Sequence, residues 1–460
     1  MGWPARKWTD IPHTHPPPAP PFTREERSLG TASFPNRQVT SIARPVNAAS
    51  MASSAPSDAP RGAPIPFGEF VAIVAALMAM GAFGIDMMLP ALPDIAQSLH
   101  VTVANHRQFV ITVFGAGYGI GQLFHGPLVD RFGRRRMMIG SLAAYAALNV
   151  LAAISASFPL LLAARFFGGT AIAGSRIGMI AMVRDCFAGR AMAQIMSLAF
   201  MVFMAIPIIA PGLGAGILLF GNWRTIFWII AGLALIVMVW VAIRIPETML
   251  PEDRREIRLP AILAGWRATL SDRLSLGYTL ATTALTACLY GYLGSIEQIM
   301  ADGFGRPHLL IVIFALSAGM MMIGNMTNAR LVMRIGTRRL SHGAVCAMIV
   351  VSAIHLAIAL TGHETIITFA VLQALTFAAF SLSSANFSAM AMERMGHIAG
   401  TAASVQGFIS LTFGSAIGTM IGQAFDGTTR PLTAGFLVAA VIAISLAFIT
   451  ERGRLFRPLA

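Results

Sequence analysis

The chain has 460 residues, of which 56% are hydrophobic and only 12% are charged, and its mean hydropathy is +0.70. This balance excludes an ordinary soluble enzyme and is typical of a chain solvated by lipid. The formal charge of +13 comes almost entirely from arginines, since Lys7 is the only lysine, and they form small clusters between apolar segments. We therefore expect no nucleic-acid partner. Three scattered cysteines indicate neither disulfides nor a metal site, and we expect no cofactor.

Residues 1–66 contain 13 of the 25 prolines and no apolar stretch that could serve as a signal peptide. This composition predicts a disordered tail on the cytoplasmic side of a membrane. The alternative is that translation begins at Met51, and the sequence favours neither reading.

From residue 67 onward, apolar segments of roughly 20 residues alternate with polar connections, as expected for helices that cross about 30 Å of hydrocarbon. The pattern predicts an all-α integral membrane protein with twelve transmembrane helices. The predicted spans are 68–90, 108–126, 137–155, 160–183, 191–219, 225–244, 275–300, 309–329, 341–360, 366–387, 400–425 and 432–450.

Arginines are distributed unequally between the two sides of this arrangement. Twenty lie in the even-numbered connections and the C-terminal tail at 451–460, whereas four lie in the odd-numbered connections. Because basic loops are retained in the cytoplasm, both termini are predicted to be cytoplasmic. The expected location is the cell (inner) membrane, which the chain crosses many times.

The longest connection, 245–274, is charged and separates an N-terminal six-helix half at 68–244 from a C-terminal half at 275–450. The halves carry related loops, Asp130-Arg131-Phe132-Gly133-Arg134-Arg135-Arg136 and Met333-Arg334-Ile335-Gly336-Thr337-Arg338-Arg339. A repeat displaced by six helices is parallel, as in transporters whose halves are related by an axis along the membrane normal.

The loop after span two combines turn-forming and charged residues. We expect Gly126 and Pro127 to end the span, the arginines to anchor the turn at the headgroups, and Asp130 to pair with an arginine or a helix N-terminus. A plain positively charged loop is the alternative, but it does not explain the spaced glycines and aspartate. The candidate gating residues are Gly126, Asp130, Arg131, Gly133, Arg134 and Arg135.

These loop residues resemble the GxLxDRxGRR motif of the major facilitator superfamily. Further segments resemble the Bcr/CflA-type drug:proton antiporters of that superfamily, namely Asp86-Met87-Met88-Leu89-Pro90-Ala91-Leu92-Pro93, Arg165-Phe166-Phe167-Gly168-Gly169, the 205–214 stretch, Asn-Ala-Arg at 328–330 and 396–402. The resemblance covers about 68–450. It departs at Gly168, where the family commonly has glutamine, and at Met333, where the second loop lacks its aspartate. It implies proton-coupled drug efflux and multidrug resistance.

Of the twenty acidic residues, only Asp86 and Glu297 fall inside spans, and the rest lie in the tail, the loops or at helix ends. A carboxylate in lipid costs several kcal/mol, so it must face a cavity, pair with a cation or take up a proton. Asp86, followed by two prolines and supported by the resemblance, is the candidate proton carrier, although it also marks a span terminus. Glu297 either contacts substrate or is exposed near the outer end of span seven.

Arg165 and Arg176 are the only basic residues in the interior of a span, and both lie in span four. The resemblance implies that Arg165 takes part in proton exchange with Asp86. Arg176 lies about 16 Å further along the helix and is a candidate to bind a lipid phosphate, a substrate anion or Asp185. A buried structural charge pair is the alternative for both arginines.

Span five repeats proline and small residues at Pro207, Pro211, Gly212 and Gly214. They allow close helix contact and a kink, which suits either ordinary packing or a surface where two halves rock. The resemblance to the antiporter motif favours the second reading. The candidates for contact with substrate are Gln122, Arg176, Glu297 and Asn386.

Taken together, these features predict a proton-coupled secondary transporter that exports lipophilic or cationic drugs by alternating access. Its expected partners are a small-molecule substrate, protons and membrane lipids, and it is expected to act as a monomer. A facilitator or proton symporter for a small metabolite shares the whole architecture and remains open. A membrane-embedded transferase is disfavoured because no His, Asp and Glu cluster marks one membrane face. No GxxxxGK[ST] loop supports an ATP-driven pump.

Overall fold

The computed structural model describes residues 64–254 and 257–457. The predicted disorder of 1–66 and the alternative start at Met51 therefore fall outside the described residues, apart from 64–66. Within the described ranges the chain forms helices joined by short connections, with no β-strand. The α-helices are α1 (Phe67–Asp86), α2 (Leu92–Ser98), α3 (Phe109–Phe132), α4 (Arg134–Ala153), α5 (Phe158–Cys186), α6 (Gly189–Leu218), α7 (Trp223–Arg244), α8 (Leu259–Ser271), α9 (Arg273–Gln298), α10 (Leu310–Ile335), α11 (Thr337–Thr361), α12 (Ile366–Met392), α13 (Ala399–Phe408), α14 (Gly414–Gln423) and α15 (Arg430–Thr450).

Ten helical segments in these ranges are long and apolar enough to cross a membrane. Helices α3 and α9, with 24 and 26 residues, occupy the positions of predicted spans two and seven but are more polar. Helix α9 is enclosed by protein, and its threonine hydroxyls bond to carbonyls one turn earlier, as Thr282 does to Tyr278 at 2.8 Å. A helix that faces protein rather than lipid does not need an apolar surface.

The helices pack as two groups. In the first, α5 packs on α3 and α4, α4 on α7, and α1 on α6; in the second, α9 packs on α14 and α15, and α12 on α10 and α11. The main contacts between the groups are α3 with α13 and α14, and α6 with α10. Close approach of α3 and α5 depends on glycine, because a Cβ at Gly121 would lie 2.6 Å from the Thr170 carbonyl oxygen.

The structure corrects the expected end of span two. Pro127 lies inside α3, which continues to Phe132, so Gly126 and Pro127 do not end the helix. A proline removes only one backbone hydrogen bond, and the helix resumes beyond it. The turn is made at Gly133, whose φ of 98° favours glycine, and Gly336 has a φ of 87° at the corresponding place in the second half.

Three other elements were not expected from the sequence. The linker at 245–274 contains the amphipathic helix α8 and the start of α9. Helix α1 ends at Asp86 and not at residue 90, and a short 3₁₀ turn at Leu89–Ala91 leads into α2. Predicted span eleven consists of α13 and α14 joined by a π-helical turn at Ile409–Phe413. Such local changes arise from packing, which hydropathy does not record.

Candidate functional site: two cavities and the contacts that enclose them

A central cavity of about 250 Å³ lies between helices of the two groups. Most of its wall is apolar, and methionine and phenylalanine side chains supply a large part of it; the flexible methionines adapt easily to different shapes. The polar part of the wall comes from a few side chains on α1, α3, α5, α9 and α10. The apolar wall includes Met78, Phe114, Phe203, Met204, Phe314, Met321 and Phe377, and the polar part consists of Asp86, Tyr118, Arg176, Tyr290, Tyr292 and Ser317.

Asp86 is the last residue of α1 and only 5% of it is exposed. Its side chain lines the central cavity. No ion pair of Asp86 occurs among residues 64–254 and 257–457. A carboxyl group in this position is enclosed by apolar side chains but reachable from the cavity, where a proton or a cation could meet it.

Arg165 is close to α1 but does not pair with Asp86. Its side chain, 2% exposed, donates from Nε to the Val110 carbonyl at 3.0 Å and from Nη2 to the Gly84 carbonyl at 2.6 Å. The guanidinium also lies 4.3 Å from the centroid of the Phe114 ring. Arg165 therefore holds the backbone of α1 two residues before Asp86 and forms no ion pair with the carboxyl group itself.

A second cavity of about 820 Å³, here called the inner cavity, lies at the end of the bundle where α3 ends. Helices α3 and α5 form one wall, and α8 and the start of α13 form the other. Gln122 lines it, and Arg176 lines both the inner and the central cavity. Gly126 allows α3 to approach α13, since a Cβ there would lie 3.0 Å from Ser404 Oγ.

The loop between α3 and α4, which holds the candidate gating residues, forms ion pairs within the first group of helices. Arg134 contacts Asp130 at 3.0 Å and Asp185 at 2.9 Å, and its backbone N–H donates to Glu247 Oε1 at 2.9 Å. Arg135 donates to the Ala242 carbonyl at 2.6 Å, whereas Arg131 is exposed. These contacts tie the ends of α3, α4, α5 and α7 together and do not cross to the second group.

The second group has an equivalent arrangement around one arginine. Arg338, near the start of α11, contacts Glu393 after α12 at 3.0 Å and Glu451 after α15 at 2.7 Å. Tyr278 of α9 donates its hydroxyl to Glu451 at 2.7 Å. Each group is therefore held together at this end by its own charges.

The small residues of α6 lie at two packing surfaces. Pro207 and Pro211 are inside the helix, and Pro207 lines the central cavity. Gly214 abuts the backbone that follows Asp86, because a Cβ there would lie 3.0 Å from the Met87 carbonyl carbon. Gly212 faces α10 of the other group. The motif thus joins α1 to the surface between the two groups.

A polar cluster at the opposite end, here called the outer network, joins the two groups. It comprises Asn105, Arg107 and Gln108 from the first group and Glu297, Gln298, Asp302 and Gln423 from the second. Within it, Asn105 Nδ2 donates to the carbonyls of Gln423 and Phe425, each at 3.0 Å, and Gln108 contacts Gln298. The signals for it in the sequence are weak, namely Arg107 in an odd-numbered connection and amides near span ends.

The outer network includes Glu297, for which the expected exposure near the outer end of span seven is wrong. Glu297 is 3% exposed and lines neither the central nor the inner cavity. Its Oε2 lies 3.0 Å from Arg107 Nε, although the two are not aligned as a hydrogen bond, and Arg107 Nη2 contacts Asp302 at 2.7 Å. Asn386, the other substrate-contact candidate outside the two cavities, donates from Nδ2 to Asn328 Oδ1 at 2.7 Å.

The sequence and the fold both match known proteins. A model of the Major Facilitator Superfamily matches residues 72–422. The chain belongs to the Major Facilitator Superfamily. It is a multi-pass membrane transporter and not an enzyme, and the members of this superfamily bind small-molecule substrates. The fold is shared with the human organic anion transporter MFSD10, with a TM-score of 0.62 and 18% identity over 84% of this chain and 100% of that one.

Several bacterial members are similar in sequence. An uncharacterized MFS-type transporter, YdgK of Bacillus subtilis, is 28% identical over 375 residues, covering 81% of this chain and 92% of the relative. The bicyclomycin resistance protein homolog of Haemophilus influenzae is 28% identical over 392 residues, covering 83% and 96%. The multidrug resistance protein MdtL of Escherichia fergusonii is 28% identical over 257 residues, covering 54% and 62%.

Proposed function

We propose that this transporter exports lipophilic small molecules, cations among them, in exchange for protons, with Asp86 as the proton carrier. The observation that carries the proposal is the position of Asp86, buried on the wall of an apolar cavity and without an ion-pair partner in the described parts of the chain. A carboxylate in such surroundings is stabilised by a proton or by a cationic substrate. Because the proton and the cationic substrate bind the same carboxylate oxygens of Asp86, binding of one releases the other.

Alternating access is supported by the difference between the two ends of the helix bundle, of which one is closed and the other contains a cavity. The outer network closes one end, whereas the inner cavity lies at the other. With the orientation that the arginines predict, this is a conformation whose access is from the cytoplasm. Rocking of the two groups about the α3–α13 and α6–α10 contacts would separate the outer network, and Gly214 would transmit the movement to the segment after Asp86.

The named relatives support export of drugs in particular. Two of them carry names of resistance proteins, for bicyclomycin and for multiple drugs, and the match to the first covers most of both chains. A function in resistance requires removal of compounds from the cell, so we place the protein in the cell (inner) membrane and propose that it acts there as a monomer.

The test is transport in liposomes with an imposed pH gradient and ethidium as a fluorescent lipophilic cation. Asp86→Asn is compared with Asp94→Asn, which removes an exposed carboxyl group on the neighbouring helix α2. We expect gradient-driven transport opposite to the proton flux in wild type and Asp94→Asn, and none in Asp86→Asn. Unchanged transport in Asp86→Asn would remove Asp86 from the mechanism. Transport along the proton flux would overturn antiport, and transport without gradient dependence would overturn proton coupling.

A further inference from the structure

Arg176 is the one described residue that lines both cavities. It lies in the interior of α5, away from the charged loops at the helix ends. A compound that passes between the inner and the central cavity therefore passes its guanidinium. This position gives Arg176 the opportunity to select what enters.

The guanidinium of Arg176 is short of partners. It has five N–H donors, and one hydrogen bond, from Nη1 to the Tyr118 hydroxyl at 3.1 Å, is its only one within residues 64–254 and 257–457. None of the Arg176 nitrogens is both buried and without a hydrogen-bond partner. The donors that make no hydrogen bond to protein therefore face the cavities. A cation so far inside a membrane protein is costly unless an anion or an aqueous cavity receives it.

The buried arginines Arg107, Arg165 and Arg338 each have at least two partners. Arg165 is held by two carbonyls and an aromatic ring, Arg107 by two carboxylates, and Arg338 by two carboxylates. Among the three partners predicted for Arg176 from the sequence, Asp185 is the only one within the protein. The structure assigns Asp185 to Arg134 at 2.9 Å and to the Thr248 hydroxyl at 3.0 Å.

The inner cavity, through which Arg176 is reached, has more arginines than carboxylates among its described lining residues. These include four arginines and two aspartates, and both aspartates contact Arg134. A cavity lined mainly by one sign of charge concentrates ligands of the opposite sign. The charged residues are Asp130, Arg134, Arg176, Arg184, Asp185 and Arg258.

We propose that the transported compounds include lipophilic molecules bearing a carboxylate, sulfonate or phosphate group, and that Arg176 binds this anionic group at the junction of the two cavities. The inference rests on the proposed function only in taking the central cavity as the substrate site. The planar guanidinium suits two oxygens of one anionic group. The phenylalanines and methionines of the central cavity receive the apolar body.

Binding is tested with two probes that share a body and differ in one anionic group. Anilinonaphthalene sulfonate carries a sulfonate, and phenylnaphthylamine does not. Their fluorescence is titrated against the full chain in nanodiscs of phosphatidylcholine, with empty nanodiscs subtracted. The variants are Arg176→Gln, Arg176→Lys and, as a matched control, Arg190→Gln, which alters an exposed arginine outside both cavities.

We expect Arg176→Gln to weaken sulfonate binding by about tenfold or more, as for loss of a charged hydrogen bond, and to leave phenylnaphthylamine binding unchanged. Arg176→Lys keeps the charge and should recover part of the affinity. Arg190→Gln should match wild type. Equal loss of both probes would assign Arg176 a structural role, and unchanged sulfonate binding in Arg176→Gln would overturn the proposal.

A lipid headgroup carries the same anionic chemistry, so the titration is repeated with phosphatidylglycerol in the nanodiscs. Sulfonate affinity that is independent of phosphatidylglycerol supports a transported compound as the ligand. Competition by phosphatidylglycerol in wild type would assign the site to a lipid and overturn the proposal. Because binding needs no proton gradient, failure of proton-driven transport in liposomes would leave this result standing.

Discussion

The outer network offers the sharpest test of alternating access. Arg107→Gln removes the cation that faces Glu297, whose side chain is 4% exposed, and leaves that carboxylate buried without its partner. Breaking a buried ion pair in this way costs about 3 kcal/mol at the lower end of the usual range. In a conformation whose outer end is open, water reaches both groups and the cost disappears. The equilibrium should therefore shift toward that conformation by about a hundredfold.

The smaller change Glu297→Gln leaves Arg107 in contact with Asp302, so we expect a shift of only about tenfold. The double variant Arg107→Gln/Glu297→Gln removes both charges together. Its shift should be smaller than that of Arg107→Gln, because no charge is left buried and unpaired. Arg306→Gln changes an exposed arginine at the same end and serves as the control.

The shift can be measured as a distance between spin labels on the two groups at the outer end. Val103 and His308 are exposed and lie on the first and second group, and the three native cysteines are replaced by serine. Pulsed electron resonance should show a longer distance gaining population in Arg107→Gln and less in the double variant. A distribution identical to wild type in Arg107→Gln, or effects of the two substitutions that simply add, would refute the reasoning.

Two further predictions concern packing within each group. Gly214→Ala places a methyl group against the Met87 backbone and should abolish gradient-driven transport or lower the melting temperature. Gly216→Ala, whose methyl group would meet nothing within 4 Å, should do neither. If the two variants behaved alike, the contact between Gly214 and Met87 would have no part in the mechanism. Arg338→Gln removes the arginine that contacts Glu393 and Glu451, while Tyr278 still donates to Glu451 and Glu393 is 37% exposed, so we expect it to destabilise the fold by about 1.5 kcal/mol. Arg339→Gln, which loses one exposed hydrogen bond, should change the melting temperature little, and a melting temperature equal to that of Arg338→Gln would contradict the assignment.

The hydropathy of the sequence was enough to predict most of the helices. Each predicted span from 137–155 to 225–244, for example, corresponds to one helix within a few residues, because a segment without water must satisfy its backbone polar groups internally. Asp86 and Arg176 could be singled out for the related reason that a charge inside a span is costly and therefore informative. The loop motif and the superfamily were readable because charge and glycine occur there at fixed spacing.

The partners of these residues were decided only by the tertiary structure. Both Asp185 and Asp86 were plausible partners for arginines of span four, yet Arg134 holds the first and backbone carbonyls hold Arg165. Glu297 was ambiguous because its partner Arg107 lies almost two hundred residues earlier in the chain. Hydropathy reports how each segment partitions into lipid, whereas pairing depends on which helices meet and at what height. That information exists only once the two groups of helices have packed together.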